Sequence, residues 1–205
     1  MEATAVTQDK NGRGGEDSDD ETDDFIRQRA PPSAESGDGS VEVLYRQIVI
    51  TDTAYSTYRA VLVYLHTSHI TFAPLASLFS APSPAATHLR FDWLDKALTP
   101  HPSLPLPVSP KGVYRLAHLL EHPKLMSLAL ADLKIQLDAV NAAVELFSET
   151  SAVYDDLRKV VLDWVVDNWK TVKDSAGMKE VDRRVKVGEL PHAGKIYAEL
   201  VPRVL

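Results

Sequence analysis

The chain has 205 residues and no cysteine. That absence excludes disulfide scaffolds, zinc ribbons and thiol catalysis, and it fits a reducing compartment. Glycine is scarce too: beyond residue 40 only Gly112, Gly177, Gly188 and Gly194 occur, none of them in a Walker or dinucleotide spacing. Nucleotide cradles are unsupported. No serine stands in a G-x-S-x-G elbow, so serine hydrolase chemistry has no anchor. No apolar run approaches the roughly 18 residues that cross a bilayer, and no signal-peptide segment opens the sequence. A soluble protein of the cytoplasm or nucleus is expected, with no membrane partner.

A surplus of positive charge is also missing. The formal net charge is −7, and residues 1–40 hold 11 of the 29 acidic and 4 of the 22 basic side chains, which leaves 18 of each sign in the remainder. A neutral folded part cannot release phosphate counterions on the scale that duplex binding needs, so no nucleic-acid partner is expected. The acidic stretch GGEDSDDETDD, followed by Pro31, Pro32 and a Ser/Gly run, has too little apolar surface to offset ordering entropy. Residues 1–40 are expected to be a disordered tail, with Ser18, three residues before Glu21, as a weak match to an acidophilic kinase site.

What is present is a core-forming remainder: 44% of the residues are hydrophobic, enough for one sizeable core. Val43, Tyr45, Ile48 and Ile50 alternate as strands do. From Thr53 the period changes. Thr53 or Asp52 can cap a helix in which Tyr58, Val61, Leu62 and Leu65 share one face. Residues 66–69 then turn, and Ile70 and Phe72 alternate as a second short strand. Residues 74–110 hold 8 of the 13 prolines, which forbids regular helix and favours an extended surface insertion. Phe91, Trp93 and Leu94 offer a helical turn or an anchor within it. Pro102 with Pro105, and Pro107 with Pro110, match the minimal SH3-ligand spacing, a common chance match.

Four helical patterns follow. Ser109 caps and Pro110 opens one with Val113, Leu116, Ala117 and Leu120 on its apolar face, and Pro123 breaks it and opens the next with Leu125, Leu128, Ala129 and Leu133. Together they make a tight hairpin. Asp138 caps a third with Val140, Ala143, Val144 and Phe147. A fourth, from near Ser151, aligns Val153, Leu157, Val160, Val161, Trp164 and Val165. After Asp174 the pattern weakens, with one more helical turn around residues 195–200. Phe147, Trp164 and Trp169 read as core.

One catalytic pattern occurs. His118, Glu121 and His122 spell H-x-x-E-H, as in inverted zinc metalloproteases, which need both histidines one turn apart on a continuous helix. Pro123 pushes His122 out of helical geometry. Two corner histidines with a solvated Glu121 are the expected reading, and a zinc-dependent hydrolase is the alternative. No metal, cofactor or catalytic residue is assigned.

The order of these elements resembles a BTB/POZ domain. YRAVLVYLHTSHITF, residues 58–72, is similar to the segment in which an amphipathic helix ends in a Tyr-Thr-Gly-type turn before a short strand, with Ser68 where glycine is usual. Residues 113–133 resemble the helical pair that follows, and residues 137–169 resemble the helical extension after BTB domains in many fungal proteins. The implied architecture is α+β and mostly helical: a partial BTB/POZ-like fold of short strands plus helical hairpin over residues 41–136, interrupted at 74–110, and a C-terminal helical extension over 137–205.

The resemblance implies a non-catalytic protein-interaction module, an adaptor or scaffold that self-associates, pairs with another BTB protein or docks a cullin. By analogy the partner-facing residues are Tyr64, His66, Ser68, His69, Pro123, Leu125 and Met126, and the self-association residues are Tyr58, Leu62 and Leu65. The strand pair and long helix that open such domains are missing before Val41. The first helix should therefore expose apolar surface. A few hundred Å² left wet costs several kcal/mol at roughly 25 cal/mol per Å², which predicts a partner-dependent fold. A structural helical protein unrelated to BTB is the remaining alternative.

Overall fold

The computed structural model describes residues 18–29, 53–79, 92–97 and 104–205. Its elements are α1 (Ser18–Arg29), α2 (Tyr55–Thr67), a 3-10 turn (Ala76–Phe79), a helical turn over 92–97, α3 (Pro110–Leu119), α4 (Pro123–Ile135), α5 (Ala142–Leu146), α6 (Glu149–Val153), α7 (Asp155–Asp167), α8 (Trp169–Val172), α9 (Ala176–Lys186) and α10 (Ala193–Val204). The protein is mostly helical, and the described residues contain no sheet. The strand expected at Ile70 and Phe72 is reduced to one parallel bridge between Phe72 and Val108. There Ala73 N–H donates to Val108 O at 2.9 Å and Val108 N–H donates to Thr71 O at 3.1 Å. The ladder stops because its next donor would be residue 110, a proline without an N–H. The strand expected from Val43 to Ile50 lies outside the described residues.

Local signals fix the hairpin. Ser109 Oγ accepts from Lys111 N–H at 3.2 Å and Pro110 opens α3. At its far end Glu121 adopts φ 52°, with Glu121 N–H on His118 O and His122 N–H on Ala117 O. This is a Schellman stop with glutamate in the left-handed position where glycine is usual. His122 then caps α4, its Nδ1 accepting from Leu125 N–H at 3.2 Å. Asp138 Oδ1 accepts from Val140 N–H and Asn141 N–H, each at 2.8 Å, and sets the turn into α5.

One hydrophobic cluster runs from Ala60 to Leu200. Helix α7 lies at its centre, burying Leu157, Val161 and Val165 against α4, α5, α6 and α10. The expected single helix from Ser151 is two, because Tyr154 is extended between α6 and α7, and Val153 is exposed. Val140 and Leu128, expected in the core, are exposed as well. Phe147 is buried, and Trp164 and Trp169 pack partly buried against the cluster. Beyond Asp174, where the pattern is weak, α9 and α10 form nonetheless. The proline-rich stretch is no simple surface insertion, since Leu75, Leu94 and Val108 are buried at 1%, 2% and 0% exposure. Pro107 and Pro110 are buried too, which rules out their use as an SH3 ligand; Pro102 lies outside the described residues.

Two buried polar links hold the helices in register. Lys111 Nζ meets Glu145 at 3.1 Å, and Ser77 Oγ donates to the same carboxylate at 2.5 Å, joining α3, α5 and the 3-10 turn. Arg158 donates to Ser151 O at 2.9 Å, Asp155 Oδ1 at 2.6 Å and Glu199 Oε2 at 3.0 Å.

The expected disordered tail requires correction over residues 18–29, which form α1 against α2. The charge that argued against order is used for contact: Asp19 and Asp23, one turn apart, are both buried.

Candidate interaction surface

Helix α2 starts without a cap of its own. Ala54 takes the N-cap position in place of the expected Thr53, and has no side chain to accept a bond; Asp52 lies outside the described residues. The acceptors come from α1. Asp23 accepts from Tyr55 N–H at 2.5 Å and from Ser56 N–H at 3.1 Å. Asp19 accepts from Thr57 Oγ1 at 2.6 Å and, through both oxygens, from Ser109 N–H at 3.0 and 2.9 Å. Ser109 is the N-cap of α3, so two carboxylates of one helix lie at the positive ends of two others. Charge-assisted caps of this kind contribute about 1–2 kcal/mol each.

The same contact rotates α2. Its buried residues are Ser56, Thr57, Ala60, Val61 and Tyr64, where the expected apolar face was Tyr58, Val61, Leu62 and Leu65. Small side chains face α1 and α3 because helices approach closely only where side chains are short. Leu62 and Leu65 turn outward, 43% and 49% exposed, with Tyr55 at 68%, and Tyr58 stays partly buried against the core.

At the other end of α2, Ser68 takes the left-handed conformation, φ 59°, and its N–H donates to Tyr64 O at 2.7 Å. The backbone there asks for glycine, and serine supplies it under strain. This turn meets the hairpin corner through Tyr64, whose ring stands edge-on to His122 at 5.7 Å. Of the expected partner-facing residues, His66, Ser68, His69 and Pro123 are exposed and Met126 is half-buried. Tyr64 and Leu125 are not available to a partner, at 4% and 0% exposure; they hold the turn against the corner from inside. Leu120, expected on the apolar face of α3, is exposed at that corner because the helix has ended by then, and Leu119 is exposed beside it.

The H-x-x-E-H residues do not converge. The Schellman stop separates them, His118 packs against Tyr114 and Tyr154, and His122 caps α4 facing Tyr64. Among the described residues no group of three or more His, Asp or Glu is placed to hold a metal ion. Burial, then the charges of Asp156 and Tyr154, raise the Tyr114 hydroxyl above its ordinary range, so it stays neutral. No helix among the described residues is long and apolar enough to cross a membrane.

The Asp19 and Asp23 contacts are the feature that composition hid. The signal was Ser18-Asp-Asp-Glu21, the spacing of a capping box, within a stretch otherwise read by net charge alone. No protein-family model, curated protein or solved structure matches the chain.

Proposed function

We propose that the chain is a BTB/POZ-like protein-interaction module that acts by association with a second copy or with an adaptor partner such as another BTB protein or a cullin. The observation that carries this reading is the outer stripe of α2. Leu62 and Leu65 are exposed on a helix whose opposite side is core, and apolar side chains so placed favour a protein partner. The order of α2, the left-handed turn at Ser68, the Phe72 pairing and the proline-broken hairpin supports the family reading.

Light scattering coupled to size exclusion on the full chain tests it, across a dilution series, with and without Leu62→Asp and Leu65→Asp. A dimer or larger species lost in the doubly substituted chain supports association through α2. A wild-type monomer indifferent to dilution removes the self-association reading and leaves the adaptor. The lack of a sheet among the described residues favours a second reading, a structural helical protein unrelated to BTB, for which neither substitution alters any binding partner.

A further inference from the structure

We propose that the N-terminal ends of α2 and α3 together form a recognition site for an acidic helical segment, and that α1 is the ligand that fills it in cis. The partner chemistry that fits is a helix with two carboxylates one turn apart on a single face.

Neither α2 nor α3 has an acidic residue in its own first turn, and α2 has no side-chain cap. The N-terminus of α2 is left to a carboxylate from elsewhere, and α3, capped on Lys111 N–H by Ser109, still offers the Ser109 N–H to one. Four donors converge on that pair of acids: the N–H groups of Tyr55, Ser56 and Ser109 and the hydroxyl of Thr57. They come from two stretches of chain more than fifty residues apart, so the spacing between the two subsites is a property of the fold. Ser56 carries a further group: its side chain is 5% exposed and its hydroxyl has no hydrogen-bond partner among the described residues, next to the backbone N–H that holds Asp23. A buried hydroxyl without a partner beside a bound carboxylate is capacity that the resident ligand leaves unused. The ligand side is divided to match. Asp19, Thr22 and Asp23 face inward and are buried, while Asp20, Asp24 and Arg27 remain exposed.

This site is distinct from the outer stripe of α2, and peptide binding reads it independently of oligomeric state. The probe is a labelled peptide of residues 15–30, followed by fluorescence anisotropy against the full wild-type chain and against the full chain carrying Asp19→Asn and Asp23→Asn. The peptide is expected to bind the substituted chain at least tenfold more tightly than the wild type, whose site is filled. A peptide with the same two substitutions, and a scrambled peptide of identical composition, should bind at least tenfold more weakly. Hydrogen exchange at the amides of Tyr55, Ser56 and Ser109 shows whether the site has opened. Open amides without peptide binding overturn the proposal, as do amides that stay protected in the substituted chain, or scrambled peptide bound as well as the native one. Should the double substitution unfold the chain, Asp19→Asn alone, which leaves Asp23 on the Tyr55 and Ser56 amides, gives the exchange readout at Ser109 only, together with the same peptide comparison.

Discussion

The side-chain amide of Gln136 is bonded to the backbone of Leu75, 61 positions away: its Oε1 accepts from Leu75 N–H at 2.7 Å. Its Nε2 donates to Ala73 O at 3.1 Å and to Asp132 Oδ2 at 2.5 Å. Gln136 thus stands where another strand's backbone would be, beside the single Phe72 and Val108 bridge. Gln136→Met removes the partner of one donor, Leu75 N–H, and of two acceptors, Ala73 O and Asp132 Oδ2, and should cost about 2–3 kcal/mol in urea unfolding, with faster exchange at the Leu75 amide. Gln136→Glu keeps the acceptor for Leu75 but faces Asp132, so its loss should grow as pH rises from about 4 to 7. Equal loss at both ends of that range would remove the electrostatic part of this account.

Gly177 lies against Val140 O, and a Cβ there would overlap that carbonyl oxygen well inside van der Waals contact. Backbone cannot give way as a side-chain tip can, so Gly177→Ala should push α9 off α5 and lower stability by about 3 kcal/mol or more. Gly194 is the matched control. Nothing lies within 4 Å of a Cβ at that position, and alanine in the first turn of α10 should be neutral or stabilising by up to about 1 kcal/mol. Thermal melts of the two variants check the contrast, and like behaviour would refute the packing argument.

These contacts mark where the sequence was legible. Ser109, Pro110 and Pro123 mark their helix ends through chemistry within a few residues, and a local pattern reveals local chemistry. Asp138, expected to cap the third helix, sets the turn before it, with Asn141 at the N-cap of α5. The side that α2 buries could not be read the same way, because it is chosen by Thr57 and Ala60 meeting α1 and α3, and leucines dominate a periodicity count even when they face solvent. Asp19 and Asp23 act across 32 to 90 positions, a distance over which composition shows only charge. Helix α9 escaped for a related reason: it buries only Gly177, Met178 and Val181. The candidate surface was half legible, with the exposed turn and corner anticipated and the buried Tyr64 and Leu125 not.

Arg158 ties α6, α7 and α10 together from a nearly buried position, with 6% of its side chain exposed. Burial works against its charge, and bonds and charges from Glu199 and Asp155 more than offset it. Its bond to Ser151 O matters most, since that acceptor is buried, whereas Asp155 is solvated and screened. Arg158→Ala should therefore cost about 2–3 kcal/mol. Arg158→Lys keeps the charge without the planar fork and should recover no more than about half of that. Full rescue by lysine in urea unfolding would assign the role to charge alone.

Asp132 supplies a pH signature of the opposite kind to an ordinary ion pair. Burial pushes its carboxyl above the usual carboxylate range, against the downward pull of the Gln136 hydrogen bond. The folded chain therefore holds this proton at pH values where the unfolded chain has lost it. Its contribution favours folding as pH falls through the raised value and opposes folding at neutral pH, where the half-buried group is charged. Asp132→Asn keeps an oxygen for Gln136 and removes the charge. The melting temperature of that variant should exceed the wild type's at about pH 7, with the gain shrinking toward zero by about pH 4. A gain of equal size across the range would trace the effect to packing, and a loss at neutral pH would mean that the carboxylate's bond to Gln136 outweighs its burial.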